Sequence, residues 1–109
     1  MAPLFVARPD QRCQRGLHVL YQLARPVDER ALAQALQSEH AGKLVESEER
    51  WGHRIVRRLV LQFRFEVRLG ARDSELSFFH RAAASPDARA IHVATFERIL
   101  RAQMSEVTP

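Results

Sequence analysis

Ile55-Val56-Arg57-Arg58-Leu59-Val60-Leu61-Gln62-Phe63-Arg64-Phe65-Glu66-Val67-Arg68-Leu69 is the stretch on which the fold turns. From residue 61 onward the odd positions are apolar and the even positions polar. That alternation marks a strand with one buried face. Before residue 61 a helix also fits, because Trp51, Ile55 and Leu59 are four apart. Whether residues 51–60 are strand or helix stays open, and the Ile, Val and Phe content favours strand. One strand over about 55–69 is therefore expected.

Gly70-Ala71-Arg72-Asp73 follows as a hairpin loop. A second strand over 74–81 then carries Leu76, Phe78 and His80 on one face and Glu75, Ser77 and Phe79 on the other. With this loop, Val67 pairs with Leu76, Phe65 with Phe78 and Phe63 with His80 on the core side. Arg68 with Glu75, Glu66 with Ser77 and Arg64 with Phe79 make the outer pairs.

Downstream, Ser85-Pro86-Asp87 is a helix start: a cap, a proline suited to the first turn, and an acid that complements the dipole. A helix over about 86–104 presents Ile91, Val93, Phe96, Ile99, Leu100 and Met104. The tail 105–109 is expected to fray.

Upstream, Leu4-Phe5-Val6-Ala7 is a brief strand or anchoring arm. In Gln11–Ala24, Leu17, Leu20, Tyr21 and Ala24 are spaced i, i+3, i+4, i+7, the pattern of a helix face. Arg25-Pro26 breaks that helix. Asp28 caps a second helix over 29–38 with Ala31, Leu32, Ala35 and Leu36 on its stripe. Lys43-Leu44-Val45 is a possible strand start, and Glu46–Arg50 a turn or polar edge. The expected fold class is α+β: an N-terminal helix pair, an antiparallel sheet of two to three strands with a long hairpin, and a long C-terminal helix. It forms one domain over 1–109, with its ordered core at about 3–104.

Composition limits the functional classes. The chain has 109 residues, 46% hydrophobic and 28% charged, in the range of a globular domain. No apolar run reaches the length of a membrane span, and the first residues are too short for a signal peptide. A cytoplasmic protein without membrane contact is the expectation. Of the 17 basic residues only Lys43 is lysine. GC-rich codon usage, as in many bacteria, is the simplest reason; anion or nucleic-acid contact is the functional alternative.

Sites of chemistry are sparse. The single cysteine, Cys13, has His18 five positions on, too far around a helix to be activated by it. His18, His40, His53, His80 and His92 show no ligand spacing, so no metal is expected. The four glycines are scattered, so there is no phosphate loop and no cofactor is expected. The acidic residues Glu46, Glu48, Glu49, Asp73 and Glu75 sit in polar segments where solvated charge is usual. His80 and His92 read as half-buried histidines, or as a pH-sensitive contact at a boundary. No catalytic residues, and no enzyme, are expected.

The basic segment 54–68 is the main functional clue. It holds Arg54, Arg57, Arg58, Arg64 and Arg68 against Glu66, just after an acidic block of Glu39, Glu46, Glu48 and Glu49. Cross-strand ion pairs on a solvated face explain such blocks; so does a self-complementary surface between two copies. The reading favoured by sequence is a small non-enzymatic protein-binding module (an adaptor, inhibitor or regulatory subunit) working as a dimer. Its partner is another protein or a second copy. Its candidate contact residues are Arg54, Arg57, Arg58, Arg64, Arg68, Phe79, Phe96 and Leu100, with the helix around Phe96 and Leu100 at the dimer contact. The alternative is a winged-helix-like DNA-binding regulator using segment 54–68. Its weakness is the acidic block where a recognition helix would lie.

Overall fold

The computed structural model describes residues 3–9, 18–61, 64–72, 74–80 and 85–105. Six strands form one antiparallel sheet: β1 (Phe5–Pro9), β2 (His18–Leu23), β3 (Val45–Trp51), β4 (Arg54–Leu61), β5 (Phe65–Arg72) and β6 (Glu75–His80). Helix α1 (Glu29–Glu39) lies between β2 and β3, and α2 (Pro86–Ser105) ends the order. The strand order is β1-β2-β6-β5-β4-β3, so β3 to β6 make a meander and the β1–β2 hairpin docks on β6.

The fold is mixed α and β, but its plan differs from the expectation. Among the described residues there is no N-terminal helix pair, and the sheet has six strands instead of two or three. Of the segment expected as a first helix, residues 18–23 are strand β2, and residues 11–17, with Cys13 and Leu17, lie outside the described residues. The helical spacing there was coincidental. Val19, Tyr21 and Leu23 also alternate, and Val19 and Tyr21 lie opposite the apolar Phe78 and Leu76 of β6. Pairing with a neighbouring strand overrides a weak local preference.

The long strand at 55–69 is two strands. The Arg64 N–H donates to the Leu61 carbonyl at 2.9 Å, closing a turn between β4 and β5. The segment at 51–60 is strand through β3, a turn and β4, and the polar Glu46–Arg50 is part of β3. The β5–β6 hairpin keeps the expected faces but shifts its partners by two residues. Phe65 pairs with His80, Val67 with Phe78 and Leu69 with Leu76. On the other face Glu66 pairs with Phe79 and Arg68 with Ser77. The cause is an irregularity between Leu69 and Arg72, next to Gly70 at φ 88° and Ser74 at φ 55°, which tightens the turn. Phe63 lies outside the described residues.

Both helices cover the same face of the sheet. Asp28 caps α1 by accepting the Ala31 N–H at 3.1 Å. The helix ends where Ala41 and Gly42 take positive φ and the Gly42 N–H returns to the Gln37 carbonyl at 2.8 Å. For α2 the Ser85 hydroxyl accepts the Ala88 N–H at 3.2 Å. Leu32 and Leu36 from α1 join Phe96, Ile99, Leu100 and Met104 from α2 in one core. Tyr21, Leu59, Phe65, Val67, Leu69 and Phe78 supply the sheet side. The rings of Tyr21, Phe65, Phe78 and Phe96 meet edge-on or offset at 5.0–5.1 Å. Ile91, expected on the buried stripe of α2, is exposed.

Candidate binding face

Alternation along the strands leaves a second face of the sheet that neither helix covers. The ladder places His18, Leu20, Phe79, Glu66, Arg68, Val60, Arg58, Val56, Val45, Glu49 and Trp51 there, across β2, β6, β5, β4 and β3.

A continuous chain of polar and aromatic contacts crosses this face. Arg58 of β4 grips Glu66 of β5 with two parallel hydrogen bonds, Nε to Oε2 at 3.0 Å and Nη2 to Oε1 at 2.7 Å. Its remaining nitrogen, Nη1, donates to Glu49 of β3. The Trp51 indole N–H donates to the other Glu49 oxygen at 2.9 Å. On the far side, Arg68 Nη2 donates to Glu66 Oε2 at 2.8 Å. The Arg68 guanidinium lies 5.1 Å from the Trp51 ring and 4.6 Å from the Phe79 ring. Phe79 in turn stacks on His18, centroids 3.8 Å apart.

The electrostatics follow from this packing. Glu66 is a buried carboxylate. Burial by itself would raise its pKa, but hydrogen bonds from Arg58 and Arg68 outweigh that and hold it below the usual carboxylate range. The indole hydrogen bond from Trp51, then Arg58, lowers Glu49 as well. The Arg58 guanidinium is held more firmly charged by Glu66 and Glu49. Two carboxylates and two guanidiniums thus cancel, inside a rim of Trp51, Phe79, Leu20, Val45 and Val60.

The arginines expected at the site divide as follows. Arg58 and Arg68 belong to this face. Arg57 is on the helix side, 3.6 Å from Glu46 and 3.4 Å from Glu48. Arg54 lines a cleft of about 350 Å³ with Pro26, Glu29 and Gly70. Arg64 is exposed in the β4–β5 turn, and Phe79 is half-buried on the open face. Phe96 and Leu100 are spent in the core. Of the acidic and basic blocks, Glu46, Glu48 and Glu49 face Arg57 and Arg58 on the adjacent strands β3 and β4, while Glu39 of α1 pairs with Arg98 of α2.

Trp51, Glu49, Glu66 and His18 were not singled out from sequence as site residues. The signals were a lone tryptophan beside a Gly turn and a single acid among the outward arginines. Among the described residues no group of three or more His, Cys, Asp or Glu could hold a metal ion, and no helix is long and apolar enough to cross a membrane. Comparison with protein-family models, curated proteins and solved structures finds no match.

Proposed function

We propose that this protein is a small non-enzymatic binding module that associates with a second copy of itself through the open face of the sheet. The observation that carries this reading is the contact chain from Trp51 to His18, in which aromatic rings surround charges that already neutralise one another. Aromatic residues and arginine are the side chains enriched where interfaces are strongest. A chain with a net charge of +4 repels its own copy over most approaches. The open face is a place where two copies can meet without like charge against like. An adaptor, inhibitor or regulatory subunit is a use that fits such a module.

Nucleic acid is the less favoured reading. A phosphate backbone recruits unpaired cations, whereas Arg57, Arg58 and Arg68 are ion-paired to Glu46, Glu48, Glu49 and Glu66. A winged helix also requires a helix pair, and the described residues before β3 hold only α1.

Light scattering coupled to size exclusion tests the proposal. A dimer is expected at high micromolar protein, and Phe79→Glu with Trp51→Ala should return it to a monomer with an unchanged circular dichroism spectrum. A wild-type monomer under those conditions would overturn the reading, as would a dimer indifferent to both changes.

A further inference from the structure

The sheet ends in two edge strands, β1 and β3, and among the described residues nothing pairs with the outer side of either. An edge strand leaves a row of N–H and C=O groups without a strand partner. β1 has five residues and ends on Pro9, which has no N–H to give. β3 has seven residues, with no proline and no glycine. Charge at an edge ordinarily discourages pairing, so the order of the charges on β3 matters.

That order, Val45-Glu46-Ser47-Glu48-Glu49-Arg50-Trp51, complements its own reverse. Antiparallel pairing of β3 with the β3 of a second copy, about a two-fold axis at Glu48, is the one register that engages all seven residues. It sets Val45 opposite Trp51, Glu46 opposite Arg50 and Ser47 opposite Glu49, each pair twice. Val45 and Trp51 are 63% and 43% exposed, large apolar side chains left in water at the two ends of the strand. Glu46 and Glu48 share one counter-charge within the chain, Arg57, at 3.6 and 3.4 Å. Arg30 of α1 lines the groove beside them but makes no ion pair among the described residues. Arg50 is exposed and makes none either. It stands about 13 Å along the strand from the Glu46 of its own chain, but directly opposite the Glu46 of a second copy. Glu48 meets Glu48 on the axis, and each brings its own Arg57.

We propose that β3 is a self-pairing edge through which two copies join their six-stranded sheets into one continuous sheet. Main-chain hydrogen bonds supply the attraction, as in strand addition generally. The cross-strand pairs of Val45 with Trp51 and Glu46 with Arg50 fix the register. The two-fold axis stands upright on the sheet, so both helical layers stay on one side and both open faces on the other. This contact is distinct from one between open faces and does not rest on it. A seam one strand wide is a small interface, so it fills at millimolar protein. Where both contacts form, dimers become tetramers.

Sedimentation equilibrium in a Phe79→Glu background, which silences the open face, isolates the edge. A dimer is expected there at millimolar protein. Arg50→Glu and Glu46→Arg should each weaken it at least tenfold, because each sets like charges opposite one another. An equimolar mixture of those two variants should recover the dimer, because the mixed pair places acid against base at both positions. Amide exchange reads the same contact in wild type: alternate amides of β3 should gain protection between micromolar and millimolar protein, and those of β1 should not. The proposal is overturned if the background variant stays monomeric, if either charge variant dimerises like its parent, or if the mixture is no better than its components. It is also overturned if the β3 amides of wild type gain no protection. A wild type that is monomeric at high micromolar protein, yet gains β3 protection at millimolar, would overturn the open-face contact and uphold this one.

Discussion

Arg58 and Glu66, on adjacent strands, are joined by two parallel hydrogen bonds at 3.0 and 2.7 Å, one from each side of the guanidinium fork. This pairing is stronger than a single-point ion pair because both oxygens of a buried carboxylate are held in plane. Removing the charge leaves Arg58 and Arg68 facing each other across the ladder. Glu66→Gln should therefore destabilise the fold by about 1–3 kcal/mol at pH 7, measured by urea unfolding.

The same residue predicts an acid limb. Against the effect of burial, the hydrogen bonds from Arg58 and Arg68 hold its folded pKa below the ordinary value for a glutamate. A lowered acid contributes stability in full above that value, and the contribution fades as pH falls through the folded pKa. Between pH 5 and 3 the melting temperature of wild type should fall more steeply than that of Glu66→Gln. Parallel curves for the two proteins would show that Glu66 is not the group responsible.

His80 titrates in a different window. Burial, then the neighbouring His92 and Arg89, push it down to about 4. The unfolded histidine, near 6.5, takes up a proton first, so stability is full above pH 6.5 and declines toward pH 4. Ring resonances of His80 in the folded protein should stay those of a neutral imidazole at pH 5.5. An ordinary titration midpoint near 6.5 would contradict the buried environment.

Core and surface substitutions should separate cleanly. Phe65 and Phe78 are 1% and 0% exposed, and their rings pack 5.0 Å apart. Replacing either with alanine should cost about 3–5 kcal/mol. Arg64→Ala, in an exposed turn, should stay within about 0.5 kcal/mol. Chemical denaturation midpoints give the comparison, and similar losses for all three would mean that the core is wrongly placed.

Gly70 and Gly52 both have positive φ, but only Gly70 is also crowded. A Cβ there would lie 2.6 Å from the Ile55 carbonyl oxygen, while at Gly52 it meets nothing within 4 Å. Gly52→Ala should cost about 1 kcal/mol for the left-handed backbone alone. Gly70→Ala should cost more, roughly 2–3 kcal/mol, because a backbone carbonyl must also shift. Equal unfolding free energies for the two variants would refute the close approach.

The parts legible in the sequence were those with one strong local signal. The alternation at Phe65, Val67, Leu69 and at Leu76, Phe78, His80 correctly assigned both faces of the β5–β6 hairpin. Asp28 and Ser85 marked the starts of the two helices. The register was missed because it depends on backbone geometry at Gly70 and Ser74 that no side-chain pattern encodes. Strand β2 was misread because Leu20 and Tyr21 satisfy helical spacing while Val19, Tyr21 and Leu23 satisfy strand spacing. Only the presence of β6 beside it decides between them. The break at Arg64 went unseen because neither Gly nor Pro punctuates it. The basic segment drew attention for its charge, yet the open face is organised by its acids, Glu49 and Glu66. Their importance depends on which strands lie side by side.

The order of the strands also sets an order of assembly. β3 pairs with β4, β4 with β5 and β5 with β6, each the next in sequence, whereas β2 meets β6 through His18 opposite Phe79, more than half the chain apart. Short loops close at little entropic cost and long ones at more, so the meander should form the folding nucleus and the β1–β2 hairpin should arrive after it. Val67→Ala should then slow refolding, while Val19→Ala should chiefly speed unfolding. The last part of the sheet to close should also be the first to open, so amide exchange in the β1–β2 ladder should outpace that in β4 and β5.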